Sequence, residues 1–173
     1  MRKGRLVTLC FLLLITLIGI AQSESSEWKL QAGYEVNYTG HNAVLHAEYA
    51  LSKHRIGGGI NYNFSDGFAS NPVLGVGLSY GYVVLQSEKW QASLGIDYRR
   101  QKPLEIVNIQ TLVLANSIEY KFTEHIGALS RIGYGVALER AASAGSFAQL
   151  NNISGLFLLG CVYSFYQLSP CSC

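Results

Sequence analysis

The stretch Gly155-Leu-Phe-Leu-Leu-Gly-Cys-Val-Tyr-Ser-Phe165 decides how the chain is read. In an extended strand successive side chains point to opposite sides, so Phe157, Leu159, Cys161, Tyr163 and Phe165 share one face. Leu158, Gly160, Val162 and Ser164 share the other, which carries no charge. Leu156, Leu158 and Val162 are apolar too, so taken alone the stretch suits any buried strand. The residues before it resolve the ambiguity.

Seven earlier segments show the same period of two, a strand signal and not a helical one. Trp28, Leu30, Ala32, Tyr34, Val36 and Tyr38 alternate with Lys29, Gln31, Gly33, Glu35, Asn37 and Thr39. A second segment sets Ala43, Leu45, Ala47, Tyr49 and Leu51 against His46, Glu48, Ala50 and Ser52. The third sets Ile56, Ile60, Tyr62 and Phe64 against Arg55, Gly57, Gly59, Asn61 and Asn63. The fourth alternates Leu74, Val76, Leu78, Tyr80, Tyr82 and Val84 with Gly75, Gly77, Ser79 and Gly81. In the fifth, Trp90, Ala92, Leu94, Ile96 and Tyr98 oppose Gln91, Ser93, Gly95, Asp97 and Arg99. The sixth puts Leu112, Leu114, Ile118, Tyr120 and Phe122 against Thr111, Ala115, Ser117, Glu119 and Lys121, with Asn116 interrupting its apolar face. The seventh puts Ile126, Ala128, Ile132, Tyr134, Val136 and Leu138 against Gly127, Arg131, Gly133, Gly135 and Glu139.

Between these segments the connections are a tight turn at 39–42, short turns at 52–54, 86–89 and 123–125, and loops predicted at 65–72, 100–108 and 140–151. After the first hairpin, short and long alternate. The pattern predicts eight antiparallel strands closed into an up-and-down transmembrane β-barrel, the last pairing with the first. With both ends on the periplasmic side, every long loop falls outside.

The N-terminus reads as a secretory signal. Arg2, Lys3 and Arg5 precede the apolar run 6–20, and Gly19-Ile20-Ala21 supplies small residues for cleavage after Ala21. This predicts a signal peptide at 1–21 and a barrel domain at 22–173. The rival reading is a retained anchor, for which the run is short. Cys161, Cys171 and Cys173 make no disulfide framework, and no cluster has metal-ligand spacing. The net charge of +2 points to no nucleic-acid partner. No cofactor is expected.

Alternation does not distinguish inside from outside; aromatic placement does. Threaded up and down, Trp28, Tyr49, Tyr82, Trp90, Tyr120, Phe122, Tyr163 and Phe165 fall at the periplasmic rim. Tyr38, Tyr62, Phe64, Tyr98, Tyr134 and Phe157 fall at the outer rim. Aromatics at two levels on an apolar face form the girdle of a membrane barrel. The opposite face holds most glycines and the charges, which suits an eight-stranded barrel whose interior has room only for side chains.

Over residues 28–165 the pattern resembles the small eight-stranded outer-membrane barrels, such as the OmpA transmembrane domain and OmpX. Gly160-x-x-Tyr163-x-Phe165 is similar to their closing-strand signal, although residues 166–173 follow it and Leu158 stands at its usually polar first position. The resemblance implies a bacterial outer-membrane location, with outer-membrane lipid and the barrel assembly machinery as partners. The pattern fixes no oligomeric state.

Glu35, Glu48, Arg55, Asp97, Glu119 and Arg131 all point inward in this register, and buried charges must pair. Glu48 and Glu119 are expected to meet Arg55 or Arg131, plugging the lumen; a proton or ion path is the alternative. His46, Glu48 and Ser79 share the inner face and are weak candidates for a hydrolytic triad. Some small outer-membrane barrels modify lipid A, but the His-x-Ser strand pattern of the deacylases is absent. Three functions are thus in play: a non-enzymatic barrel with a structural or surface-contact role through its external loops, a lipid-modifying barrel enzyme, and a soluble periplasmic ligand-binding barrel.

Overall fold

The computed structural model describes residues 26–65, 73–104, 106–143 and 146–166. The expected signal segment at 1–21, Cys171 and Cys173 lie outside them. Eight strands run in chain order: β1 (Ser26–Asn37), β2 (Gly40–Leu51), β3 (His54–Asn63), β4 (Val73–Gln86), β5 (Trp90–Leu104), β6 (Val107–Lys121), β7 (Ile126–Ser143) and β8 (Ser146–Tyr166). Each pairs antiparallel with the next, and β8 pairs back onto β1, so the sheet closes into a barrel. Closure removes the free edge where β1 and β8 are paired, from Glu27 to Asn37 and from Leu156 to Tyr166.

The closing register runs from Glu27↔Tyr166 to Asn37↔Leu156. At its centre Gly33 faces Gly160. A Cβ on Gly160 would lie 2.5 Å from the Ala32 carbonyl oxygen and 3.1 Å from the Gly33 Cα. This row of the seam therefore closes backbone against backbone.

One end of the barrel holds both strand termini and the turns at 52–53, 87–89 and 122–125; here it is called the terminal end. The opposite, hairpin end is uneven. β1 and β2 are joined by the two-residue turn Tyr38–Thr39, after which Gly40 takes a positive φ of 104° that a glycine adopts without strain. Residues 146–155 of β8 rise past β1 and pair with β7 alone.

Two of the predicted loops are corrected here. Most of 100–108 is strand, with Arg100↔Gln110 and Leu104↔Val107 paired around a register shift at Gln101/Leu104. Most of 140–151 is likewise the paired tip of β7 and β8, ending at Ser143↔Ser146. Both are ladder extensions, the first with polar residues on both faces and the second rich in small residues. Such a segment loses the period-two pattern without losing its backbone pairing.

Alternation along the strands sorts the side chains. Leu30, Leu45, Ile60, Leu78, Leu94, Leu114, Ile132 and Leu159 are exposed on the outer surface, whereas Lys29, Glu35, Glu48, Arg55, Asp97, Arg99, Glu119 and Arg131 are buried within. Asn116 keeps the outward register between Leu94 of β5 and Ile132 of β7 and is exposed.

Candidate functional site

The interior is the chemically distinctive part of the molecule. Inward positions on six strands supply a continuous chain of opposite charges. From the terminal end, Glu27 lies 3.8 Å from Lys29 Nζ, which donates to both oxygens of Glu119 at 2.7 Å. Arg55 Nη1 bridges Glu119 and Glu48, at 3.1 Å to each. Glu48 is 3.8 Å from Arg131, which donates to Asp97 at 3.2 Å. Asp97 also accepts from Arg99 at 3.4 Å, and Arg99 reaches Glu35 at 3.2 Å. Four cations thus alternate with five carboxylates from one end of the lumen to the other.

All six interior residues named from the sequence lie on this chain. Glu119 meets Arg55, and Glu48 meets both Arg55 and Arg131. Lys29 and Arg99, outside the expected polar network, are central to it, and the alternation of β1 and β5 already turns both inward. Gln31 extends the chain by donating to Glu48 at 3.1 Å. A second polar layer lies toward the hairpin end, where Asn42 Oδ1 accepts from Gln101 Nε2 at 2.8 Å.

An apolar cluster shares the interior with these polar groups. Val44, Val113, Leu129, Leu156, Leu158 and Val162 form one buried cluster, half of it from β8. The closing strand contributes no charge. Inward glycines provide the floor on which long side chains lie: a Cβ on Gly57 would meet the His46 ring at 2.3 Å, and one on Gly77 would meet Arg99 at 2.7 Å.

His46 and Ser79 are brought together, with His46 Nε2 and Ser79 Oγ 2.8 Å apart. The third member of a triad is not. Glu48 is engaged by Gln31 and Arg55, and among the described residues no carboxylate bonds the other ring nitrogen of His46. A cavity of about 20 Å³ borders Ser79, Glu48, Arg55 and Arg131. It has room for about one water and none for an acyl chain. The His46, Glu48 and Ser79 set therefore lacks both the relay and the substrate access that nucleophilic catalysis requires.

Most of the aromatic residues lie outward at two levels. Near the terminal end Trp28 contacts Tyr49 with ring centroids 5.0 Å apart, Trp90 contacts Tyr120 at 4.5 Å, and Tyr163 contacts Phe165 at 4.6 Å. Tyr82 packs on His54 at 5.3 Å. Near the hairpin end Tyr62, Phe64, Tyr134 and Phe157 are exposed, with Tyr98 half-buried beside Leu112. Tyr34 and His41, outside the expected girdle, join the upper level: the Tyr34 hydroxyl bonds His41 Nδ1, and Phe64 stacks beside them.

Tyr38 is a correction. The strand ends at Asn37, so Tyr38 belongs to the turn and leaves the outer face. Its hydroxyl donates to Glu139 at 3.4 Å and accepts from Asn152 at 2.6 Å, over the mouth of the lumen.

A closed eight-stranded barrel with an apolar exterior and a charged interior inverts the polarity of a soluble ligand-binding barrel. No protein-family model matches the chain. No curated protein matches it either. Among solved structures, the N-terminal β-barrel domain of Pseudomonas aeruginosa OprF aligns with a TM-score of 0.53 at 10% identity, over 80% of this chain and 97% of that one. The de novo designed barrel TMB2.3 aligns with a TM-score of 0.50 at 11% identity, over 82% and 96%. The chain has the fold of the small eight-stranded outer-membrane barrels.

Proposed function

We propose that this chain is an integral protein of a bacterial outer membrane, exported through a cleaved signal peptide at residues 1–21. Outer-membrane lipid and the barrel assembly machinery are its partners in that setting. Its role is non-enzymatic, structural or in surface contact through the hairpin end, which then faces outward. One observation carries the reading: large apolar side chains cover the outside while a chain of ion pairs fills the inside. Hydrocarbon solvates no polar group, so a spanning sheet must close and turn its charges inward.

Cell fractionation tests the location. The mature protein should sediment with outer membranes; recovery as a freely soluble periplasmic protein overturns the reading. The filled lumen predicts no steady conductance in planar bilayers, and a stable open channel contradicts the plug.

Asn116 supplies a third expected outcome. Its amide faces outward between the two aromatic levels and has no hydrogen-bond partner among the described residues. Asn116→Leu should stabilise the barrel in lipid vesicles by about 1–3 kcal/mol, the range for burying an unpaired amide. Urea unfolding measures this, and a destabilised variant contradicts a lipid-facing Asn116.

A further inference from the structure

Outward-pointing charge on the described strands is confined to one place. Among the described strand residues that point outward, the Asp, Glu, Lys and Arg side chains are Arg100 and Lys102 of β5 and Arg140 of β7. All three are cations, all are exposed, and none pairs with a described carboxylate.

Their position follows from the register. Tyr98, Leu112, Val136 and Ile153 lie side by side across β5 to β8 as an apolar row. The next row toward the hairpin end is Arg100, Gln110, Leu138 and Asn151, and Asn108, Arg140 and Gln149 follow beyond it. Polarity therefore switches within one step along the strands, and the cations begin at that step. Asn108 lies between the two arginines and accepts from Arg100 Nε at 3.2 Å. Strands are spaced about 4.8 Å apart, so Arg100 and Arg140, two strands apart, can converge on one small anion.

We propose that Arg100, Lys102 and Arg140 form a binding site for the phosphorylated headgroup of an outer-leaflet lipid, with Asn108 orienting Arg100. The inference rests on the membrane reading above. Acyl chains packed along Leu112, Leu114 and Val136 place a lipid phosphate at the level where the surface turns cationic. Guanidinium groups offer forked donors that match phosphate oxygens, and the lysine adds a point charge. A free anion in water would gain nothing from the apolar row below, which argues for a lipid.

The test uses the purified barrel in phosphatidylcholine vesicles, with spin-labelled phosphatidic acid and spin-labelled phosphatidylcholine as probes. The fraction of motionally restricted label gives the preference for the phosphomonoester. The wild type should prefer phosphatidic acid several-fold, and millimolar inorganic phosphate should not compete. Arg100→Gln, Lys102→Gln and Arg140→Gln together should abolish the preference. Lys53→Gln, Lys89→Gln and Lys121→Gln together, which remove the same charge at the terminal end, should leave it intact. A preference absent from the wild type, retained in the first variant, lost in the second, or competed by phosphate overturns the site while the barrel stays inserted. Failure of the wild type to insert overturns the membrane reading itself.

Discussion

Glu119→Ala is expected to destabilise the barrel by about 3–5 kcal/mol, the range for removing one partner of a buried ion pair. Glu119 holds Lys29 through both carboxylate oxygens and Arg55 through one. Lys29 is fully buried, and without Glu119 its nearest anion is Glu27 at 3.8 Å. Arg55 fares better, because it keeps Glu48. The loss therefore comes mainly from a buried ammonium group left with only the more distant Glu27 carboxylate as counter-charge. Lys29→Met combined with Glu119→Leu should restore most of the stability, since replacing a whole buried pair by apolar residues is often neutral. Urea unfolding in vesicles reads both variants. A single variant within about 1 kcal/mol of wild type, the range of exposed pairs, would mean that the chain of charges is wet and loosely coupled.

Gly160→Val has the second large expected effect, and it acts on closure rather than charge. The new Cβ would be driven against the Ala32 carbonyl and the Gly33 Cα, both backbone atoms of the partner strand. Neither is the mobile end of a side chain, so the seam itself must part. The eleven residue pairs that join β1 to β8 depend on that close approach. The variant should accumulate as unfolded protein during refolding into vesicles. Gly155→Ala is the matched control on the same strand: nothing lies within 4 Å of its added Cβ, and it should fold like wild type. Equal folding yields for Gly160→Val and Gly155→Ala would show that the glycine pair does not set closure. The result also bears on the Gly160, Tyr163 and Phe165 signal: here Gly160 has a steric role at the seam, while Tyr163 and Phe165 pack edge-to-face on the outer surface.

The strands were legible because each has one face toward lipid and one toward the lumen. That demand writes a period of two into β1 through the central part of β8, and it holds even at Asn116, which interrupts the apolar face without shifting the register. The strand tips were not legible. Past the outer aromatics both faces of a ladder can be polar, so Pro103 and the small residues after Arg140 read as loop although the backbone goes on pairing. Tyr38 was misplaced for a related reason: alternation was carried one step beyond Asn37, into the turn. The inward charges were readable as a set, but their partners were not. Lys29 and Glu119 lie 90 residues apart on β1 and β6, and only the stagger of the closed barrel brings them together. Alternation alone places His46 and Ser79 on the same inner face. The pair's lack of an acid partner and of access depends on neighbours that no sequence spacing reveals.

The most direct measurement places spin labels, one at a time, at Leu114, Asn116 and Ile118 of a cysteine-free protein in lipid bilayers. These are consecutive outward positions on β6, between Tyr120 near one aromatic level and Tyr134, which pairs with Leu114, near the other. Collision with oxygen, which concentrates in hydrocarbon, should exceed collision with a water-soluble nickel chelate at all three. Nickel-chelate access dominating at these positions would mean that water, not lipid, covers the apolar face, and would contradict the account.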